Sequence, residues 1–409
     1  MEVRKMLKQT QAPLKLLWIH DRARGTGGAE RYLMQVASAL REKGIVSSLL
    51  YGPGYSDPDF LAAFESAWPA LEFSTQIQKI QPDLIYVHRL PQGVRMQDLL
   101  QLEIPVMRFF HDHQLLCLRE HKYTAIGQKT CTRPLGTHCY TCPGFVVRSG
   151  SGISLRSVAG MKQELDLHRH LAQAVVASDY LADHLVANGF EREMISVVPL
   201  FASAPQPAQP ALGKPAFDPW QLLFAGQLVT GKGLDLLLKA LVKVPQAKLW
   251  VAGEGRQAEK YQQICEALGL RSRVQFLGNQ SAEALSQLQN QAAMVVIPSR
   301  APETFALAGV EAMSHGRAVI ASDVGGMRTW LNPGQNGLLF PSGDIQALAD
   351  AIRQLGEAPE LTAEMGSQGV LLWQEKFQLS QHLQKLVPLM HRLVFESKQT
   401  QKFNLQEAA

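Results

Sequence analysis

Two carboxylates eight positions apart have the residue type and spacing for ligand chemistry. Glu303 and Glu311 flank an apolar run in PSRAPETFALAGVEAMSHG, residues 298–316. If a helix begins near Leu307, Glu311 lies on its first turns and Glu303 in the loop before it. The backbone N–H groups at such a helix start attract a diphosphate, and carboxylates accept hydrogen bonds from sugar hydroxyls. The segment predicts a sugar-nucleotide site, although a solvated loop glutamate before an amphipathic helix has the same spacing.

A glycine-rich loop follows the first apolar run of the chain. Gly25, Gly27 and Gly28 lead into a helix that we expect to begin near Ala29. Glycine lets the backbone approach a ligand closely, so this loop suits a phosphate-bearing ligand, although a tight strand-to-helix turn also uses glycine. The dinucleotide pattern G-x-G-x-x-G is nearly met, but Glu30 occupies its third glycine position and no acidic residue ends the second strand. A nicotinamide enzyme is therefore disfavoured.

A lysine follows a second glycine-containing loop. Gly226 to Lys232 satisfies the pattern G-x-x-x-x-G-K. Gly233 occupies the position where a P-loop NTPase needs a magnesium-binding hydroxyl, so that class is disfavoured. Lys232 lies at a predicted helix start, where a cation opposes the helix dipole unless an anion intervenes. This favours a phosphate-binding role over that of a merely exposed lysine.

These segments resemble one family. Residues 303–316, ETFALAGVEAMSHG, are similar to the E-x7-E signature of glycosyltransferase family 4, usually close to E-x-F-G-x-x-x-x-E-A-M-A-x-G. Residues 226–233 are similar to that family's G-R-L-x-x-x-K-G pattern. VAGEG at 251–255, VQFLGN at 274–279 and DVGG at 323–326 extend the resemblance over most of residues 220–345. Ala306 replaces the usual glycine, and Gln227 replaces an arginine, which loses a bidentate positive charge.

The resemblance implies an α/β protein of the GT-B fold, with two Rossmann-like doubly wound domains facing across a cleft. It implies a retaining, nucleotide-sugar-dependent reaction that needs no divalent metal, with Glu303, Lys232 and His111 as catalytic residues. Lys232 would stabilise the leaving diphosphate, Glu303 would bind hydroxyls of the donor sugar and Glu311 those of the ribose. The implied donor-binding residues are Gly27, Gly28, Gln227, Lys232, Thr304, Phe305, Ala306, Leu307, Glu311, Leu277, Gly278 and Asn279.

A histidine directly follows a predicted central strand in the first half. His111 comes after PVMRFF and precedes Asp112. The resemblance places a histidine here beside the reacting sugar, whereas an ordinary polar residue at a strand end is the alternative. His20 and Asp21 come at the end of the first predicted strand and directly after it, and face the same cleft, without a motif of their own.

Four of the five cysteines fall within one window of the first half. They are Cys117, Cys131, Cys139 and Cys142. Cys139 and Cys142 form a C-x-x-C half-site, and all four together match a tetrahedral zinc set, with His113, His121 and His138 as alternative ligands. Free thiols, a disulfide and an iron–sulfur centre are other interpretations, but a cytoplasmic setting disfavours stable disulfides. We expect a structural zinc knuckle beside the acceptor site.

Alternating strands and helices must position these residues. Short apolar runs that predict strands alternate with helical patterns in both halves, which indicates parallel α/β layers. The predicted strands are residues 14–20, 45–51, 84–88, 105–110, 174–178 and 195–199, then 221–226, 248–253, 274–278, 294–298, 318–322 and 337–340. Ligands bind at the carboxyl ends of such strands, where the residues named above lie.

A proline-rich stretch separates the two halves, with six prolines in residues 199–219. We expect an N-terminal acceptor domain over residues 1–200, with a cysteine-rich insertion at 111–150, and a linker over 201–219. A nucleotide-sugar-binding domain should follow over 220–375. Residues 376–409 should form an amphipathic helix and tail that crosses back to the first domain.

Composition excludes several classes of protein. With 409 residues, 46% hydrophobic and 19% charged, the chain is long enough for two soluble globular domains. It has no run of 18 apolar residues, and its basic N-terminus lacks the apolar core of a signal peptide, so we expect a cytoplasmic protein. A net charge of +4 without basic blocks disfavours nucleic acid, while weak attraction to the inner face of an anionic membrane stays open.

The function expected is transfer of a sugar from a nucleoside diphosphate to an acceptor hydroxyl. The acceptor is a saccharide or lipid-linked molecule, with assembly of envelope polysaccharide or glycolipid as the setting. A nucleotide-sugar epimerase of the same fold and a catalytically silent nucleotide-sugar-binding protein are the alternatives. Donor base, donor sugar and oligomeric state stay open.

Overall fold

The computed structural model describes residues 13–25, 27–124, 126–127, 129–149, 152–203 and 218–407. The strands of the first half are β1 (Lys15–His20), β2 (Val46–Tyr51), β3 (Ser66–Pro69), β4 (Leu84–Val87), β5 (Val106–Phe110), β6 (Val146–Ser149), β7 (Gly152–Leu155), β8 (Gln173–Val176) and β9 (Ile195–Val197). Those of the second half are β10 (Gln221–Ala225), β11 (Lys248–Ala252), β12 (Val274–Gly278), β13 (Met294–Ile297), β14 (Ala318–Ser322) and β15 (Gly337–Phe340).

Two parallel sheets organise these strands. The first has the order β3-β2-β1-β4-β5-β8-β9 and the second the order β12-β11-β10-β13-β14-β15. In each sheet, the strand that comes first in the chain, β1 or β10, lies inside the sheet, and later strands are added on both sides of it, as in doubly wound sheets. The predicted fold class, two Rossmann-like α/β layers, is confirmed.

Helices connect the strands and cover both sheets. In the first half they are α1 (Gly28–Arg41), α2 (Pro58–Leu61), α3 (Phe73–Ile80), α4 (Met96–Leu100), α5 (Val158–His168) and α6 (Asp179–Ala187). In the second half they are α7 (Leu234–Val242), α8 (Ala258–Ala267), α9 (Ala282–Gln291), α10 (Leu307–Ser314), α11 (Ile345–Glu357), α12 (Pro359–Lys376) and α13 (Leu379–Glu407). Short 3-10 turns form at Thr137–Cys139, Arg192–Met194, Thr230–Lys232 and Gly325–Thr329.

Four inner strands are buried along their whole length because helices cover both faces of the sheets. Every residue of β4, β8, β13 and β14 is buried. Continuous burial of this kind is typical of parallel sheets, whose connections place helices on each side. The loops that leave the carboxyl ends of the strands carry the polar residues that the sequence analysis selected.

Three strands were absent from the sequence prediction. β3 has four residues, all half-buried, and ends in proline, so it lacks the apolar run of the inner strands. β6 and β7 form an antiparallel hairpin within and just after the cysteine-rich stretch, outside both sheets. Four-residue strands in a polar segment give too short a pattern to be recognised.

The chain crosses between the two halves at residues 199–203, which pack against the C-terminal helices. The backbone N–H of Ala202 donates to the carbonyl of Phe377 at 3.0 Å, and the Trp373 indole donates to the carbonyl of Ala202 at 3.0 Å. Most of the predicted linker, residues 204–217, lies outside the described residues, as does the basic segment 1–12.

Helix α13 runs from the second half back onto the first sheet. Its Arg392 donates to the side chain of Gln173 on β8 at 2.7 Å, and Lys398 pairs with Asp83 before β4 at 2.7 Å. Its apolar face contributes buried residues to the core of the first half, namely Leu383, Leu386, Leu389, Met390, Leu393 and Val394. Among the described residues, none of the helices has the length and apolar character needed to span a bilayer.

Candidate active site

Lys232 and Glu303 form an ion pair at the centre of the cleft-facing loops. The ammonium of Lys232 lies 2.8 Å from Oε1 of Glu303. The hydroxyl of Ser299, two residues after β13, donates to the same oxygen at 2.7 Å. The side chains of Lys232 and Glu303 are 33% and 16% exposed, so a ligand can reach both. The structure thus joins two candidates that are 71 positions apart.

Close packing of two loops brings this lysine to its partner. Lys232 ends the 3-10 turn Thr230–Lys232, and Gly233 follows with a φ of 70°. A Cβ on Gly233 would lie 1.9 Å from the carbonyl oxygen of Pro298, so only glycine allows this approach. The Gly231 carbonyl accepts from the N–H groups of Arg300 and Ala301 at 2.8 and 3.0 Å, which fixes the loops together.

Helix α10, which contains Glu311, begins where the sequence predicted, at Leu307. Ala306 precedes it in the left-handed region, with a φ of 60°. The carbonyl of Phe305 accepts from the Trp330 indole at 2.5 Å, which holds the turn against the core. The first backbone N–H groups of a helix have no partner within it, so residues 305–308 present donors and a positive dipole end to a ligand.

The carboxyl of Glu311 lies on the first turns of α10 without a protein partner. It forms no hydrogen bond or ion pair with any described residue. Burial raises the pKa of Glu311, while the positive charge of Arg31 on α1, across the cleft, acts in the opposite direction. A carboxylate in this state is suited to accept hydrogen bonds from ligand hydroxyls.

His111 lies at the carboxyl end of β5 in a cluster of neutral histidines. Its Nε2 lies 2.7 Å from Nδ1 of His88, which follows β4. Burial, with a contribution from His20, lowers the pKa of His111 to about 3, and burial also lowers the pKa of His88. Nε2 of His88 has no partner among the described residues. A buried Nε2 without a partner is less costly as an unprotonated nitrogen than as an N–H donor, so we place the proton of His88 on Nδ1. His88 Nδ1–H then donates to Nε2 of His111, and His111 carries its own proton on Nδ1.

Gly27 and Gly28 form the start of α1 beside these histidines. Gly27 caps the helix, and a Cβ on it would lie 1.9 Å from Oε2 of Glu30, whereas a Cβ on Gly28 would meet nothing. Burial would raise the pKa of Glu30, but its hydrogen bond with His20, 3.5 Å away, and a backbone hydrogen bond lower it. Glu30, which replaces the third glycine of the dinucleotide pattern, therefore contacts His20 within the first half.

Thr304 connects the two halves directly at the site. Its hydroxyl donates to the carbonyl of His111 at 2.8 Å, and its own carbonyl accepts from the hydroxyl of Ser178 at 2.6 Å. Ser178 also caps α6 through the N–H of Leu181. The loop carrying Glu303 is therefore in contact with the loop carrying His111.

The remaining donor-binding candidates of the second half lie on neighbouring loops. Gln227 is exposed, and its side chain makes no hydrogen bond with any described residue. The Leu277 carbonyl accepts from the Gln280 side chain at 2.6 Å, and the Gly278 carbonyl accepts from the N–H of Gly253 at 2.7 Å. Both carbonyls are thus already engaged, and the N–H of Asn279 lies 3.4 Å from Oε1 of Glu254.

The cysteine cluster forms around a buried lysine. Cys117, Cys131, Cys139 and Cys142 are free thiols. Burial lowers the pKa of Lys122, and the nearby Cys131, Cys117 and Cys139 act in the opposite direction. Within the described part of the chain, no three His, Cys, Asp or Glu side chains are arranged to hold a metal ion. The zinc knuckle stays a prediction, without support from this geometry.

Sequence reasoning missed several residues of the site. Ser299 could have been found, because it follows a strand whose carboxyl end faces the cleft. Ser178 and Arg31 carry no motif, and their roles depend on how the two halves face each other. Tyr123 of the cysteine-rich segment lies 3.5 Å from the position a Cβ would take on Gly231, so that segment borders the lysine loop.

Two facing doubly wound sheets define the GT-B fold, and comparisons with protein families agree. The model of Glycosyltransferase Family 4 matches residues 26–202, and that of Glycosyl transferases group 1 matches residues 210–370. Together they span most of the chain. The chain belongs to these family 4, group 1 glycosyltransferases.

Individual proteins show the same likeness. The lipopolysaccharide core biosynthesis glycosyltransferase LpsD of Rhizobium meliloti is 26% identical over 366 residues, covering 87% of this chain and 92% of LpsD. An uncharacterized glycosyltransferase of Methanocaldococcus jannaschii is 36% identical over 124 residues, 30% of this chain and 32% of that relative's length. The structure of Anabaena HepE with UDP and glucose has a TM-score of 0.69 at 19% identity, covering 92% and 99% of the two chains.

Proposed function

We propose that this glycosyltransferase moves a sugar from a nucleoside diphosphate-sugar to an acceptor hydroxyl with retention of anomeric configuration. The observation that carries the proposal is the arrangement at α10, where Lys232 and Glu303 pair before the helix start and Glu311, within the helix, forms no hydrogen bond or ion pair with a described residue. The Lys232 ammonium and the N–H groups at the helix start match a diphosphate, and the two carboxylates match the hydroxyls of the same ligand.

The leaving diphosphate gains negative charge as the glycosidic bond breaks. The Lys232 ammonium and the N–H groups that begin α10 stabilise that charge, so these groups supply the positive potential at the site. Glu303 holds Lys232 in place and accepts hydrogen bonds from hydroxyls of the donor sugar. Glu311 accepts hydrogen bonds from the ribose hydroxyls, and the neutral His111 donates a hydrogen bond from its Nδ1–H to the reacting sugar.

Two relatives support the donor and acceptor assignments. HepE has been crystallised with UDP and glucose, and LpsD takes part, by its name, in lipopolysaccharide core biosynthesis. We extend both to this chain, with a nucleoside diphosphate-sugar as donor and an envelope saccharide or lipid-linked saccharide as acceptor. The reaction takes place on the cytoplasmic side of the membrane.

Release of nucleoside diphosphate on adding acceptor, with the product anomer assigned by NMR, tests the proposal. Lys232→Ala should lower the rate at least a hundredfold, because it removes charge stabilisation of the leaving group. Lys260→Ala, on the exposed face of α8, is the matched control and should keep the wild-type rate. Inversion at the anomeric carbon, or an unchanged rate for Lys232→Ala, would refute the mechanism, and an epimerised nucleotide sugar would identify the alternative enzyme class.

A further inference from the structure

A cavity of about 440 Å³ lies in the first half, next to the histidine cluster. Three arginines, Arg89, Arg108 and Arg156, contribute to its walls together with Glu120 and Glu164. A narrower cavity that contacts His88 and His111 shares Arg89 and Arg108 with it. The larger cavity is therefore adjacent to the place where the proposed reaction occurs.

Arg108 is a buried cation without a carboxylate partner. The residue is 6% exposed, and no described carboxylate lies within ion-pair distance of its guanidinium. Its Nη1 donates to Nε2 of His168. His168 accepts as a neutral ring, because its Nδ1–H donates to the carbonyl of Glu164 at 2.7 Å. The Nε–H of Arg108 is buried with no partner among the described residues.

The other two arginines of the cavity are already paired. Arg89 lies 2.7 Å from Asp112, and Arg156 lies 2.6 Å from Glu120. Helix α5 begins at the cavity wall, where Ser157 and Gly160 lie, and its dipole adds positive potential. Asp112 and Glu164 act on the charge of Arg108 only from beyond ion-pair distance, so Arg108 is the arginine of this cavity that pairs directly with no described carboxylate.

We propose that the cavity binds an oxyanion, a carboxylate or a phosphate, carried by the acceptor. A buried guanidinium without a directly paired carboxylate is unfavourable, and a planar or tetrahedral oxyanion supplies both a paired charge and an acceptor for its Nε–H. The inference rests on the proposed transfer reaction, because in that reaction the acceptor binds next to His111, where this cavity lies. The acceptor would then be an acidic or phosphorylated saccharide.

Three probes that differ in charge test this inference by ligand-observed NMR titration, with UDP saturating the donor site. They are methyl β-D-glucuronide, glucose 6-phosphate and neutral methyl β-D-glucoside. At least one charged probe should bind tenfold more tightly than the neutral one, and the stronger of the two identifies the anion. Equal binding of all three probes, or no binding of either charged probe, overturns the proposal.

Variants separate the cavity from the donor site. Arg108→Gln should weaken binding of the charged probe at least tenfold, whereas Arg95→Gln, an exposed arginine on the same domain, should not. If Arg108→Gln shows no melting transition, Arg156→Gln on the cavity wall replaces it with the same expected direction. Unchanged probe affinity in the folded variant overturns the cavity assignment. Failure of the wild type to bind any of UDP, ADP and GDP, each titrated separately, contradicts the proposed function instead.

Discussion

Glu311 is a single residue where stability and ligand binding make opposite demands. Its pKa is higher in the folded protein than in the unfolded chain, so its ionised form lowers stability at pH values above both. Glu311→Gln removes that charge together with the acceptor for ribose hydroxyls. We expect a higher melting temperature by calorimetry and at least tenfold weaker UDP binding by titration calorimetry.

The control for this substitution is Glu364→Gln, which changes an exposed glutamate on α12 and should alter neither quantity. A lower melting temperature with unchanged UDP affinity would show that Glu311 supports the fold rather than the ligand.

Residue types at the site were largely predictable, but their partners were not. Glu303, Lys232 and Glu311 stand out in the sequence because glutamates and lysine lie beside predicted helix starts. The ion pair between Lys232 and Glu303 depends on the close approach of Gly233 to Pro298, which no local pattern specifies. The hydrogen bond between His88 and His111 likewise depends on the neighbouring positions of β4 and β5.

At the scale of elements, the start of α10 contains an alanine in a conformation that glycine adopts more readily. Ala306 has a φ of 60°, which costs an L-residue about 1–2 kcal/mol, while glycine loses about 0.4–1 kcal/mol through the entropy of the unfolded chain. Ala306→Gly should therefore raise the free energy of unfolding by up to about 1.6 kcal/mol in urea denaturation.

Ala308→Gly, two positions further into the helix, is the matched control. Ala308 is the second residue of α10 and does not have a positive φ, and glycine costs up to about 1 kcal/mol relative to alanine within a helix, so this variant should lose stability. Equal losses in both variants would mean that the alanine at position 306 is not strained.

Helix α13 is held by a chain of hydrogen bonds that begins within the first sheet. His382 Nδ1–H donates to the carbonyl of Pro199 at 2.7 Å, so its Nε2 accepts from the hydroxyl of Tyr32 at 2.9 Å. The Tyr32 oxygen then accepts from Tyr86 at 3.2 Å. A chain ending at Gln378 loses this network and the apolar face of α13, and we expect it to be insoluble.

A chain ending at Lys402 keeps the contacts of Lys398 and Gln401 and should remain soluble with a wild-type melting temperature. Soluble, cooperatively melting protein from the shorter chain would contradict the role given to α13. Soluble yield and calorimetry after expression of both chains provide the comparison.

Strands with continuous apolar runs were predicted more completely than the short peripheral ones. All twelve predicted strands occur in the two sheets, because burial on both faces leaves a clear apolar signal. β3, β6 and β7 were missed, since each has four residues and lies at a sheet edge or outside both sheets.

At the scale of the whole molecule, several buried histidines make stability depend on pH. Burial lowers the pKa of His111, His113 and His168 to about 3, and that of His184 and His382 to about 4. Between these values and about 6.5 the unfolded chain binds protons that the folded chain does not, so stability rises with pH across that range. Each such histidine contributes up to about 1.4 kcal/mol per pH unit there.

The urea midpoint should therefore fall clearly between pH 7 and pH 5.5. Adding 0.5 M NaCl should leave this fall in place, because it arises from burial rather than from surface charge. A constant midpoint would indicate that these histidines accept protons equally well in the folded and unfolded chains.

The GT-B architecture was predictable from alternating elements and family motifs, but the relation between the halves was not. Thr304 contacts both His111 and Ser178, and Glu311 faces Arg31, although each pair is far apart in the sequence. Such contacts arise from how two sheets are placed relative to each other, which periodicity within either half does not encode.

The return of α13 onto the first sheet sets an order for folding during synthesis. The ribosome completes residues 13–203 before it makes either the second sheet or α13. Until Leu386, Met390 and their neighbours emerge, the first sheet exposes the apolar surface that they later cover. The nascent N-terminal half must therefore wait in an incomplete state, and a chaperone that shields apolar surface would act during this interval.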